Sequence, residues 1–149
     1  VLSTLHTTTA SGAIVRLINM GVEPYLITSS LICVLAQRLV RRLCPRCKER
    51  YDIPKDTAKN LEISSASGDF YRPKGCKHCA NTGYLGRLGI AEVLFLSPSI
   101  KELILSNAQE YQIKQAARTE GMKTLRESAL SLASEGVTSL EEVLRVTAV

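Results

Sequence analysis

Tryptophan is absent from this chain of 149 residues, and aromatic residues make up only 5% of it. Binders of single-stranded nucleic acid stack bases on aromatic side chains, so the platforms that task needs are mostly missing. No run of about 18 uncharged apolar residues occurs, which is the length a membrane-spanning helix requires. The longest apolar-leaning stretch, Val22 to Val40, holds Glu23, Gln37 and Arg38, and is read as a soluble helix. The first residues lack a basic region followed by an apolar one, so no signal peptide is expected. The chain opens at Val1 without a methionine and is read as a piece of a longer protein.

What is present is enough for a folded core, since hydrophobic residues make up 45%. The formal charge of +5 is weak support for an anionic partner. Four of the five cysteines, bound to Zn²⁺ as thiolates, would bring the total to about +3.

Composition divides the chain into three segments, 1–43, 44–96 and 97–149, and the expected class is α+β, mostly helical. In the first, Val1 to Leu5 reads as the end of a buried strand. Thr8, Thr9 and Ser11 are candidate N-caps for a helix carrying Ile14, Val15, Leu17 and Ile18, and Gly21 stands where a left-handed residue would end it. Pro24 opens a second helix, expected to bury Leu26, Ile27, Leu31, Val34 and Leu35 before a strand near Leu39 and Val40. The middle segment is a small cysteine-, glycine- and lysine-rich insert, with a weak helix near Thr57 to Leu61 and a loop at Ser64 to Gly68. Gly83, Gly86 and Gly89 predict a β-hairpin with glycine turns, and not a phosphate loop, because a dinucleotide fingerprint needs G-x-G-x-x-G. From Ser97 onward a bundle of short helices is expected: one from Ser97 and Pro98, one over Gln109 to Arg118, and two opened by Thr124/Glu127 and Ser139/Glu142 at capping-box spacing.

Cys44-Pro-Arg-Cys47 and Cys76-Lys-His-Cys79 are two C-x₂-C knuckles separated by 28 residues. That spacing is close to that of four-cysteine zinc sites, in which each knuckle turns two sulfurs toward one ion. Arg46, Lys48, Lys74 and Lys77 surround the pairs and favour thiolate over thiol. Such a zinc would be structural, because four sulfurs leave no position open for water. Disulfides or buried thiols are the competing reading, and His78 is an alternative ligand. Cys33 is read as a small core residue.

Ser3-Thr-Leu-His-Thr7, with Ala10, Gly12, Ala13 and Arg16-Leu-Ile-Asn-Met-Gly21, resembles the histidine-box region of type II secretion and type IV pilus assembly ATPases. Ala36-Gln-Arg-Leu-Val40, the two knuckles, Gly83-Tyr-Leu-Gly-Arg87 with Glu92, and Ser139-Leu-Glu-Glu-Val143 continue the resemblance in order. It implies that 1–43 is the C-terminal edge of a RecA-like P-loop ATPase core, 44–96 a tetracysteine zinc subdomain and 97–149 a helical subdomain. It further implies a cytoplasmic homo-hexamer that uses ATP and Mg²⁺ to drive an inner-membrane assembly platform. His6 falls on the histidine-box residue facing the terminal phosphate of ATP, where an imidazole N–H can donate to a phosphate oxygen. Arg87 matches an arginine after the zinc motif, able to serve phosphate charge or a neighbouring subunit. Taken alone, a histidine such as His6 after an apolar strand is more often a satisfied structural residue, and Arg87 has a surface ion pair as its competing reading. Thr8 departs from the asparagine common in relatives, and Cys33 from a small glycine. No G-x-x-x-x-G-K-[ST] occurs, so these residues alone are not expected to bind or hydrolyse ATP.

Two other functions fit some of the residues. Arg38, Arg41, Arg42, Arg46, Lys48 and Arg50 could form the phosphate-contacting stripe of a zinc-ribbon nucleic-acid module, although no direct nucleic-acid partner is expected. A non-catalytic adaptor docking to a membrane assembly platform is the other.

Overall fold

A computed structural model of the chain describes residues 1–54, 58 and 69–148. The weak helix expected near Thr57 to Leu61, Ala58 apart, and the loop at Ser64 to Gly68 lie outside the described residues. The elements run α1 (Ala10–Asn19), α2 (Pro24–Ser30), β1 (Cys33–Leu43), β2 (Glu49–Arg50) and β3 (Tyr71–Arg72), followed by a 3₁₀ turn at Lys77–Cys79. Then come β4 (Tyr84–Phe95), α3 (Pro98–Leu105), α4 (Glu110–Thr119), α5 (Leu125–Ser134) and α6 (Leu140–Thr147). The protein is α+β. It divides into two compact units, one of residues 1–37 and 91–125, the other of 38–90 and 126–148.

In the first unit, α1 packs on α2 and α4, and α3 packs on α2 and α4. Helix α1 starts because Thr9 is extended (φ −133°, ψ 158°) and its side chain accepts from Gly12 N–H. Gly21 ends it at φ +86°, with Gly21 N–H donating to Ile18 O and Val22 N–H to Leu17 O, a Schellman ending. Ser97 caps α3 through Ile100 N–H, with Pro98 in the first turn. Ile14, Ile100, Ile104 and Ile113 are fully buried, each contributing about 1.5–3 kcal/mol of transfer free energy. In the second unit, Val40, Leu43, Ile90, Ala129, Ala133 and Val143 are buried. The helices after Ser97 divide between the two units.

Three local expectations are corrected. Val1 to Leu5 form no strand and are exposed, because no other strand among the described residues pairs with them. The second helix stops at Ser30, and Val34 and Leu35 belong to β1. From Cys33 to Val40 burial alternates with period two, which places Ala36 and Val40 inside and Leu35, at 56% exposure, outside. Leu26, expected inside α2, is 44% exposed. Gly86 and Gly89 make no hairpin turn; both lie within β4, which pairs with β1. Leu96 N–H donates to Ile32 O at one end of that ladder and Cys44 N–H to Gly83 O at the other, so the strands run in opposite directions. A second antiparallel pair joins β2 and β3, with Glu49 opposite Arg72 and Arg50 opposite Tyr71.

Candidate metal centre

Cys44 follows the last residue of β1 and Cys47 lies in the turn before β2, while Cys76 and Cys79 bracket the 3₁₀ turn before β4. The four Sγ atoms lie within 4.8 Å of one another. Cys47 and Cys79 stand 3.8 Å apart, bridging the two knuckles, and Cys76 and Cys79 are also 3.8 Å apart. A tetrahedral ion with metal–sulfur bonds of about 2.3 Å needs neighbouring sulfurs about 3.8 Å apart. The sulfurs therefore fit one such ion, and this spacing is far from the ~2.05 Å of a disulfide. Cys44, Cys47 and Cys79 are buried and Cys76 is half-buried.

The backbone is shaped to serve these sulfurs. Cys79 Sγ accepts N–H groups from Cys76 at 3.3 Å and Gly83 at 3.2 Å. Gly83 holds φ +76°, and a Cβ there would lie 2.4 Å from Pro73 Cβ, so this close approach requires glycine. Burial raises the Cys79 thiol, but the amides of Cys76 and Gly83 and the adjacent thiols outweigh it and bring its pKa down to about 6. Burial pushes Cys47 up to about 12. Around the centre, Lys48 Nζ donates to Gly136 O at 2.8 Å and sits 4.3 Å from the centre of the Tyr71 ring. Lys74 Nζ reaches Glu49 Oε1 at 2.5 Å, and Arg72 joins the same carboxylate. Four sulfurs complete a tetrahedron, so the centre can brace the fold but offers no position to activate water.

The sequence model of the family described as Type II/IV secretion system protein matches residues 1–145. The chain belongs to that family. The type II secretion system ATPase E of Vibrio cholerae is 47% identical over 148 residues, which cover 99% of this chain and 29% of that protein. The type IV pilus assembly ATPase TfpB of Acinetobacter baylyi is 47% identical over 150 residues, 98% of this chain and 26% of that protein. With the type IV pilus assembly ATPase PilB of Thermus thermophilus the identity is 45% over 150 residues, 99% of this chain and 17% of that protein. The chain thus spans under a third of the length of these relatives.

Of the candidate metal-ligating residues, the four cysteines come together. His6 is exposed in the segment before α1, and Arg87 is exposed on β4. His78 is exposed and is not part of the sulfur cluster. Cys33, expected in the core, is exposed on β1, because it faces away from the side that buries Ala36 and Val40. Glu142 exceeds its expected capping role. Ser139 caps α6 through Glu142 N–H, while the fully buried Glu142 carboxylate takes both guanidinium groups, of Arg41 and Arg145. Arg41 also lies 4.1 Å from the centre of the Tyr84 ring. Burial raises the Glu142 pKa, but the hydrogen bonds from Arg145 and Arg41 bring it down to about 2. Among the described residues no helix is long and apolar enough to cross a membrane.

Proposed function

We propose that this chain is the C-terminal part of a cytoplasmic, hexameric ATPase that powers type II protein secretion or type IV pilus assembly. The observation that carries the reading is the match over residues 1–145, with relatives at 45–47% identity named as ATPases of those two systems. In this reading residues 1–43 are the edge of a RecA-like core, 44–96 the metal-binding subdomain and 97–149 a helical subdomain. The phosphate-gripping loop and the Mg²⁺ ligands lie outside these residues. Val1 to Leu5 would then find the neighbouring strands they lack here.

Cys44, Cys47, Cys76 and Cys79 hold one structural zinc, supported by the sulfur spacing and by the amides aimed at Cys79. When bound, the zinc supplies a crosslink that replaces hydrophobic core. His6 supplies an imidazole N–H to the terminal phosphate of ATP, and Arg87 a guanidinium for phosphate charge or an adjacent subunit. Both are exposed and free to meet a partner. The motor acts on an inner-membrane assembly platform through protein partners.

ATP turnover by the complete gene product tests the reading. The intact protein should hydrolyse ATP, and His6→Ala should lower turnover by about 10²-fold or more with zinc content unchanged. An intact protein without a phosphate loop, or one whose turnover ignores His6→Ala, would overturn it.

A further inference from the structure

One buried carboxylate in the first unit accepts hydrogen bonds from two backbone N–H groups. Glu92 on β4 is 1% exposed, and it follows the buried phase of Ile90 and Leu94. Its Oε1 accepts the N–H of Ala10 at 2.9 Å, and its Oε2 accepts the N–H of Leu125 at 3.3 Å. Ala10 and Leu125 are the first residues of α1 and α5. Each oxygen therefore takes one of the N–H groups that a helix start leaves without an intrahelical acceptor, where the helix dipole also favours negative charge.

The same turn of α1 is held from a second side. Thr9 Oγ1 accepts from Gly12 N–H at 3.0 Å and donates to Glu110 Oε1 at 2.7 Å, and the buried Ser11 hydroxyl donates to the same oxygen at 3.1 Å. Upstream of this turn the described residues show no comparable anchor. His6 and Thr8 are exposed, Thr7 donates only to Thr9 O at 3.3 Å, and Val1 and Leu2 are fully exposed. The polar anchors of this first helical turn, Glu92 on one side and Glu110 on the other, are therefore the last side-chain tethers before the His6 segment.

We propose that Glu92 is a positioning residue: its carboxylate locks the first turn of α1 and thereby aims the segment that carries His6. This rests on the reading of His6 as the group that meets the nucleotide's terminal phosphate. Glutamine at position 92 keeps the shape but turns an amide N–H₂ toward one of the two backbone donors, so one anchor is lost. A displaced imidazole loses contact with charge that develops during phosphoryl transfer while the remote grip on nucleotide persists.

The test is a double-mutant cycle on ATP turnover by the complete protein, with zinc bound. Glu92→Gln should lower kcat about tenfold or more, with KM for ATP within about twofold of wild type and no further loss when His6→Ala is already present. Thr9→Ala removes the neighbouring cap without touching the buried carboxylate. It should lower kcat by about threefold, again only when His6 is intact. Hydrogen exchange should quicken at the Ala10 amide in both variants. If His6→Ala itself leaves turnover unchanged, the underlying reading of His6 fails and the positioning role with it. If His6→Ala lowers turnover but the Glu92→Gln loss is absent, multiplies fully onto the His6 loss, or falls on KM, the positioning role alone is overturned. Should Glu92→Gln not fold, Thr9→Ala decides: a loss that persists without His6 sinks the proposal.

Discussion

Replacing Glu142 by glutamine is expected to cost the chain about 2–3 kcal/mol of stability at neutral pH. Its carboxylate is fully buried. It accepts from the Arg41 amide at 3.0 Å, from the Arg41 guanidinium at 3.0 and 2.7 Å, and from the Arg145 guanidinium at 2.8 and 2.6 Å. The fold lowers the carboxyl from its ordinary 4.5 to about 2, which at 1.36 kcal/mol per pH unit is about 3 kcal/mol. Water screens part of this, because the Arg41 and Arg145 side chains remain 43% and 57% exposed. The folded value lies below the unfolded one, so the stabilisation is complete above pH 4.5 and is lost as the pH falls toward 2. Urea unfolding of both proteins, followed by circular dichroism at several pH values between 7 and 2.5, measures the difference. Urea leaves ion pairs unscreened, and acid removes any thiolate-bound metal from both proteins alike, so the difference isolates Glu142. A penalty below about 0.5 kcal/mol at pH 7, or one that does not shrink on acidification, would refute the reasoning.

Cys44→Ser should abolish binding of one zinc per chain in native mass spectrometry and lower the stability of the second unit by several kcal/mol; retention of the ion at full occupancy would remove Cys44 from the ligand set. Gly83→Ala should weaken zinc retention against a chelator by about tenfold, because the added Cβ meets Pro73 and shifts the amide that serves Cys79; unchanged retention would show that this amide does not orient the sulfur.

The residues legible in sequence were those whose chemistry is local. Thr9, Gly21, Pro24 and Ser97 do as expected because a cap, a left-handed residue or a fixed φ acts within one turn. The two knuckles were legible because two-residue spacing already aims both sulfurs. What failed depended on neighbours distant in sequence. Val34 and Leu35 fit a helical stripe and a strand equally well over a short apolar run, and pairing with β4, far along the chain, decides for the strand. Glu142 satisfies capping-box spacing, yet Arg41, a hundred residues earlier, takes its carboxylate. Glu92 did leave a signal: an acidic side chain in phase with Ile90 and Leu94 must find donors when the strand is buried.

These long-range anchors follow from the helices themselves. Among the described residues each of the six helices is 7 to 10 residues long, shorter than the ~12–15 residues at which an isolated helix becomes even marginal. Without tryptophan and with few aromatic residues, the chain has little bulky apolar mass to clamp such short pieces. Point anchors take that role: Glu92 joins the starts of α1 and α5, Glu142 joins α6 to β1, and four sulfurs join the C-terminal end of β1 to the approach to β4. Each ties segments separated by at least 28 residues of chain, so each fixes a geometry that helix propensity and capping could not specify. Substitutions at these positions should therefore displace one specific pair of elements, whereas an isoleucine-to-valine change in the first unit's core should cost only about 0.5–1.5 kcal/mol with the geometry kept.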